Sequence, residues 1–128
     1  MGYTVKVAAE KSNLSPNTLR YYEKEGLLPH IKRSDSGIRQ YSDEDLEWLS
    51  LICCLKNTGM SIKQIRDFVN LSLKGSETLK DRCDMLNIHK KEVEKHIKEM
   101  NKHLEKVTYK IEHFTKKYEE FLASGEKV

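Results

Sequence analysis

The spacing of apolar positions changes along the chain, and each change marks off an element. In Tyr3-Thr4-Val5-Lys6-Val7-Ala8-Ala9 the apolar residues recur at helical spacing, and Asn13-Leu14 turns this short helix into Ser15-Pro16-Asn17-Thr18. Ser15 can cap a second helix with its hydroxyl, and Pro16 suits the first helical position because its missing N–H would be unpaired there anyway. Gly26 supplies the left-handed stop. Two short helices joined by a tight turn predict a helix-turn-helix. At about 100° per residue, Leu19, Tyr22 and Glu23 share the packing side of the second helix, while Asn17, Arg20, Tyr21 and Lys24 fall on the free side.

Beyond Gly26 the pattern becomes turn-rich and basic. Lys32, Arg33 and Arg39 flank the turn Ser34-Asp35-Ser36-Gly37, and Tyr41 follows, a hairpin with cations and a hydroxyl suited to gripping phosphates. Ser42 with Asp43, Glu44 and Asp45 reads as a cap and an acidic first turn, predicting a helix to about Thr58, which Gly59 ends. Ser61 and Gln64 form a capping-box pattern for a further helix with Ile62, Ile65, Phe68 and Val69 at core-facing spacing.

From Leu79 onward the period is seven. Leu79, Leu86, Val93, Met100, Val107, Phe114 and Phe121 form one column, and Cys83, Lys90, Ile97, Leu104, Ile111 and Tyr118 lie four residues after it, with Lys90 the one charged member. That regularity predicts a coiled coil. A helix of roughly 45 residues would be about 65–70 Å long, too long for a chain of this size to cover its own seam. A partner helix must cover it, either a second copy or a different protein.

With 128 residues the chain has room for one small domain and an appendage. The net charge of +3 is modest, but residues 1–42 hold seven Lys or Arg against four Asp or Glu, whereas 43–75 hold four against five. A local basic patch of this kind is what phosphate binding requires. No apolar run approaches a membrane span and no signal-like leader opens the chain, so a soluble, cytoplasmic protein without a membrane partner is expected. Cys53, Cys54 and Cys83 make an odd set without a CxxC pair, which predicts reduced thiols and no conventional zinc site.

Arg20-Tyr21-Tyr22-Glu23, Gly26-Leu27-Leu28-Pro29, Gly37-Ile38-Arg39-Gln40-Tyr41 and Cys54-Leu55-Lys56-Asn57-Thr58-Gly59-Met60-Ser61-Ile62, in that order and followed by the long helix, resemble the MerR family of transcription regulators. The resemblance covers nearly the whole chain. It implies a mainly α fold: a winged helix-turn-helix with two bracing helices at 1–75, a dimerisation helix at 76–123 forming an antiparallel coiled coil, and a tail at 124–128. The DNA contacts expected on this basis are Ser15, Asn17, Thr18, Arg20, Tyr21 and Lys24 of the recognition helix, with Lys32, Arg33, Arg39 and Tyr41 of the wing. The expected seam is Leu79, Cys83, Leu86, Val93, Ile97, Met100, Leu104, Val107, Ile111, Phe114, Tyr118 and Phe121.

A two-fold dimer should read inverted half-sites in a pseudo-palindromic duplex. Family behaviour implies binding in an overlong promoter spacer, which the dimer bends and untwists so that RNA polymerase can use it. Such deformation costs on the order of 1–6 kcal/mol.

The wheel of the 43–58 helix puts Leu46, Trp48, Leu49, Leu51, Ile52, Cys53 and Leu55 on a broad apolar arc and Cys54 with Glu47, Ser50 and Asn57 on the polar side. An accessible thiol with thiolate character reacts with electrophiles. The segment resembles the subgroup that responds to aldehydes or thiol stress through a cysteine before Leu-Lys, which makes Cys54 the expected sensor and a small electrophile the expected effector. The alternative is a metal-responsive or non-covalent-ligand regulator. Metal-responsive members typically add a cysteine-bearing loop after the dimer helix, and no cysteine follows Cys83. His89, His96 and His103 repeat every seven residues, about 10 Å apart, too far to share one ion. Drug-responsive members carry a further ligand domain, for which the chain is too short.

No cofactor, metal or enzymatic site is expected, since no phosphate loop, carboxylate pair or triad-like spacing is present. A coiled-coil adaptor would account for residues 76–123 but would leave the basic hairpin unused.

Overall fold

The computed structural model describes residues 2–125. Helices α1 (Val5–Ser12) and α2 (Pro16–Lys24) lead into a two-stranded ribbon, β1 (Lys32–Arg33) and β2 (Arg39–Gln40). Then come α3 (Asp43–Asn57), α4 (Ile62–Leu73), a single 3₁₀ turn (Ser76–Thr78) and α5 (Leu79–Ser124). Of the expected tail, residues 126–128 lie outside the described residues.

The helix boundaries follow from local side-chain chemistry. Ser15 accepts from the Thr18 N–H at 3.1 Å, with Pro16 at the first helical position. Gly26, at φ 80°, ends α2 in the left-handed region that favours glycine. Ser42 with Asp45 and Ser61 with Gln64 close reciprocal capping boxes on α3 and α4. The first helix begins later than the apolar spacing suggests. Thr4 caps the Val7 N–H, while Tyr3 is extended and exchanges backbone hydrogen bonds with Tyr41 at 2.7 and 2.9 Å. Tyr3 therefore ties the amino-terminal segment to the ribbon instead of opening a helix.

The core lies where α1, α2, α3 and α4 meet: Ala8, Leu19, Leu27, Leu49, Ile52, Ile65 and Val69 are buried there. Trp48 stacks on Phe68 with ring centroids 6.1 Å apart, and its indole N–H donates to the Leu27 carbonyl at 2.9 Å. Met85 and Leu86, on the first turns of α5, pack against the same core. The described residues divide into a compact unit that ends at His89 and a second unit that begins at Lys90. No helix among the described residues is long and apolar enough to cross a membrane.

Candidate nucleic-acid interface

Helix α2 is divided into two faces. Leu19 and Tyr22 are buried and Glu23 is half-buried, whereas Asn17, Arg20, Tyr21 and Lys24 face solvent, the division its periodicity predicts. The outer face is partly organised: Arg20 donates from a terminal guanidinium nitrogen to Asn17 Oδ1 at 3.1 Å. Ser15 and Thr18 bond to each other through their hydroxyls at 2.9 Å while forming the cap. The far end of α2 is held by its neighbours. Arg66 of α4 donates from Nε to the Glu25 carbonyl at 2.8 Å and pairs with the Glu25 carboxylate at 2.5 Å.

The ribbon pairs Lys32 with Gln40 and Arg33 with Arg39. Its turn is closed by Ser34 N–H donating to the Ile38 carbonyl at 2.7 Å and Gly37 N–H to the Ser34 carbonyl at 2.8 Å. Gly37 sits at φ 85°, a conformation that L side chains resist. Directly paired residues share a face, so Arg33 and Arg39 lie together, a like-charge pair that is destabilising on its own. Glu23 relieves it: its carboxylate accepts from Arg39 Nε at 2.5 Å and lies 3.7 Å from Arg33. Arg33 remains half exposed. Lys32, on the opposite face, is exposed beside a cleft that His30, Asp43 and Asp45 also line.

Tyr41 corrects the sequence expectation. It is wholly buried, and its hydroxyl has no hydrogen-bond partner among the described residues, so it is a core residue under the ribbon and offers no group to a phosphate. Burial pushes its phenol above the ordinary value of 10.0; the Glu23 carboxylate adds to the rise, while Arg39 and Arg20 oppose it.

On α3 the two adjacent cysteines differ as the wheel predicts. Cys53 is half-buried, and burial raises its pKa; Cys54 is exposed. Thr58, one turn on, donates its hydroxyl proton to the Cys54 carbonyl at 2.6 Å and lies 2.7 Å from His89 Nε2 of α5. His89 is thus held, whereas His96 and His103 of the same column are exposed. Among the described residues no group of three or more His, Cys, Asp or Glu is arranged to hold a metal ion.

Along α5, which has 46 residues and no buried one, Leu79, Ile97, Met100, Leu104, Val107, Ile111, Phe114 and Tyr118 are each more than half exposed, and Cys83 is exposed. Leu86, Val93 and Phe121 are half-buried, Leu86 because it packs on its own domain.

The roles of Glu23, Arg66, Thr58 and His89 escaped the sequence reading. Their partners lie between 16 and 41 residues away, and no local period encodes such pairs.

A helix-turn-helix followed by a basic ribbon and two bracing helices defines a winged helix-turn-helix DNA-binding protein. Residues 3–71 match the model of the MerR HTH family regulatory proteins, and residues 46–111 match the MerR DNA-binding model. The chain belongs to the MerR family and is a DNA-binding transcriptional regulator, not an enzyme.

Among its relatives, an uncharacterised HTH-type transcriptional regulator of Haemophilus influenzae is 47% identical over 94 residues, covering 73% of this chain and 70% of that one. The HTH-type transcriptional regulator AdhR of Bacillus subtilis is 42% identical over 78 residues, covering 61% and 56%. The crystal structure of HiNmlR, a MerR family regulator lacking the sensor domain and bound to promoter DNA, superposes with a TM-score of 0.86 at 41% identity, covering 98% of this chain and 97% of that one.

Proposed function

We propose that the chain acts as a homodimer on a pseudo-palindromic promoter spacer, distorting it for RNA polymerase, and that an electrophile or aldehyde reacting at Cys54 switches its output. The observation that carries the DNA reading is the tie between α2 and the ribbon through Glu23, which makes the recognition helix and the wing one cationic surface. HiNmlR, similar over almost its whole length, was solved on promoter DNA. Asn17, Arg20, Tyr21 and Lys24 face the major groove in this reading, and Lys32 and Arg33 take phosphates beside it.

The dimer rests on α5. A helix about 70 Å long with an uncovered apolar seam leaves its hydrophobic free energy unrealised until a second helix lies on it. An antiparallel pairing of two copies covers both seams and relates the two recognition helices by a two-fold axis. The switch rests on the exposure of Cys54 beside a half-buried Cys53, which leaves one thiol on α3 open to attack. A regulator of this kind works where the promoter is, in the cytoplasm.

Binding to duplex DNA measured across a salt series, with sedimentation of the free protein, tests this reading. A dimer whose log affinity falls steeply and linearly with log salt is expected. A monomer, or binding indifferent to salt, would sink it.

A further inference from the structure

We infer that Glu23 is a specificity-determining positioning residue: by holding Arg39 and Arg33 it fixes the wing against the recognition helix, so that the protein distinguishes its own site from other DNA. The inference deepens the DNA reading above and rests on it. The geometry is unusual for a surface meant to meet phosphates, since a carboxylate stands on the recognition helix directly between two arginines. Its side chain is 20% exposed and that of Arg39 29%, so the pair is largely withdrawn from solvent. Arg39 gives its Nε–H to Glu23, which orients the guanidinium plane, and Arg33 is further held by its own bond to the Gly37 carbonyl at 3.1 Å. Tyr41 lies fully buried immediately after β2, so the strand that carries Arg39 is anchored from below as well.

Two roles for such a carboxylate make opposite predictions. As a bare charge near DNA it repels phosphate, and its removal should strengthen binding to every duplex. As a clamp it sets the angle between wing and helix. Its removal then weakens binding where that angle must match the groove, while the lost negative charge helps binding elsewhere. The turn at Ser34–Gly37 is closed by its own backbone bonds, Tyr3 ties the backbone at Tyr41, and the Glu23 pairs with Arg39 and Arg33 join the ribbon to the side chains of α2.

The experiment uses full-length wild type, Glu23→Ala, Glu23→Gln and Arg39→Ala, with the double variant Glu23→Ala/Arg39→Ala. Two duplex probes of equal length are used: the site that the wild type enriches from a random-sequence pool, and its scrambled counterpart. Glu23→Ala should bind the enriched site about tenfold more weakly and the scrambled duplex as tightly as wild type or more so. Glu23→Gln keeps an acceptor for Arg39 and should recover most of the discrimination. In the double variant the two changes should be clearly less than additive, because both remove the Glu23–Arg39 contact.

Equal strengthening on both duplexes, no change on either, or strict additivity with Arg39→Ala would overturn the inference. Failure of the wild type to enrich any site would instead overturn the sequence-specific reading, and the inference with it.

Discussion

His89 Nε2 lies 2.7 Å from the Thr58 hydroxyl, joining the end of α3 to the first turns of α5. The same hydroxyl lies 2.6 Å from the Cys54 carbonyl, so it links the last turn of α3 to the imidazole of α5. Thr58→Val removes both bonds and leaves a half-buried ring without its partner. A loss of about 1–3 kcal/mol is expected from the urea midpoint with an unchanged slope, and Thr58→Ser should restore most of it. A variant as stable as wild type would show that the bond contributes nothing.

Tyr41 offers a pH signature. Its phenol and that of Tyr22 are raised above 10.0, mainly by burial, so the fold favours their neutral forms. The unfolded chain ionises first as pH rises. The contribution is therefore complete below about pH 10 and is lost as pH climbs through the raised values. Tyr41→Phe should remove its share of the alkaline loss. It should also leave neutral-pH stability unchanged or raise it by about 1 kcal/mol, since a buried hydroxyl without a partner is removed. DNA affinity should not move; a clear drop would return Tyr41 to the interface.

The two kinds of DNA contact should separate by salt. Lys32→Ala should weaken enriched and scrambled duplexes alike and reduce the salt slope by about one. Arg20→Ala should cost about 1–3 kcal/mol on the enriched site alone, because Asn17 holds its guanidinium on the outer face of α2. Titrations at several salt concentrations read both quantities, and identical behaviour of the two variants would contradict the division.

Leu104→Lys places a charge in the middle of the seam, where the native side chain is 61% exposed in the single chain. Sedimentation should show a monomer, with DNA affinity falling as the second recognition helix is lost. A dimer that survives would displace the seam from this face of α5.

What was legible in the sequence was local. Ser15, Ser42, and Ser61 with Gln64 cap where the sequence places them, because capping is a matter of three or four residues; that Asp45 closes a box with Ser42 came from the structure. The contrast between Cys53 and Cys54 follows from the turn angle of a helix. Tyr41 was misread because a tyrosine beside basic residues resembles a phosphate contact. Strand alternation puts Arg39 and Tyr41, two residues apart, on the same side, but that this side faces inward follows from the Glu23 clamp, which no local period encodes. Leu86 was assigned wholly to the seam since a heptad does not reveal that the first turns of α5 lie on the domain's own core. Pairs such as Glu25 with Arg66 arise from the tertiary fold and left no trace in the spacing.

Transcription in vitro from the promoter beside this gene, with purified wild type and Cys54→Ser, each with and without a reactive aldehyde, tests whether Cys54 is the switch. The expected result is a switch in transcript level with the wild type and none with Cys54→Ser, while both bind the promoter. A response shared by both proteins, or absent from both, would contradict Cys54 as the switch.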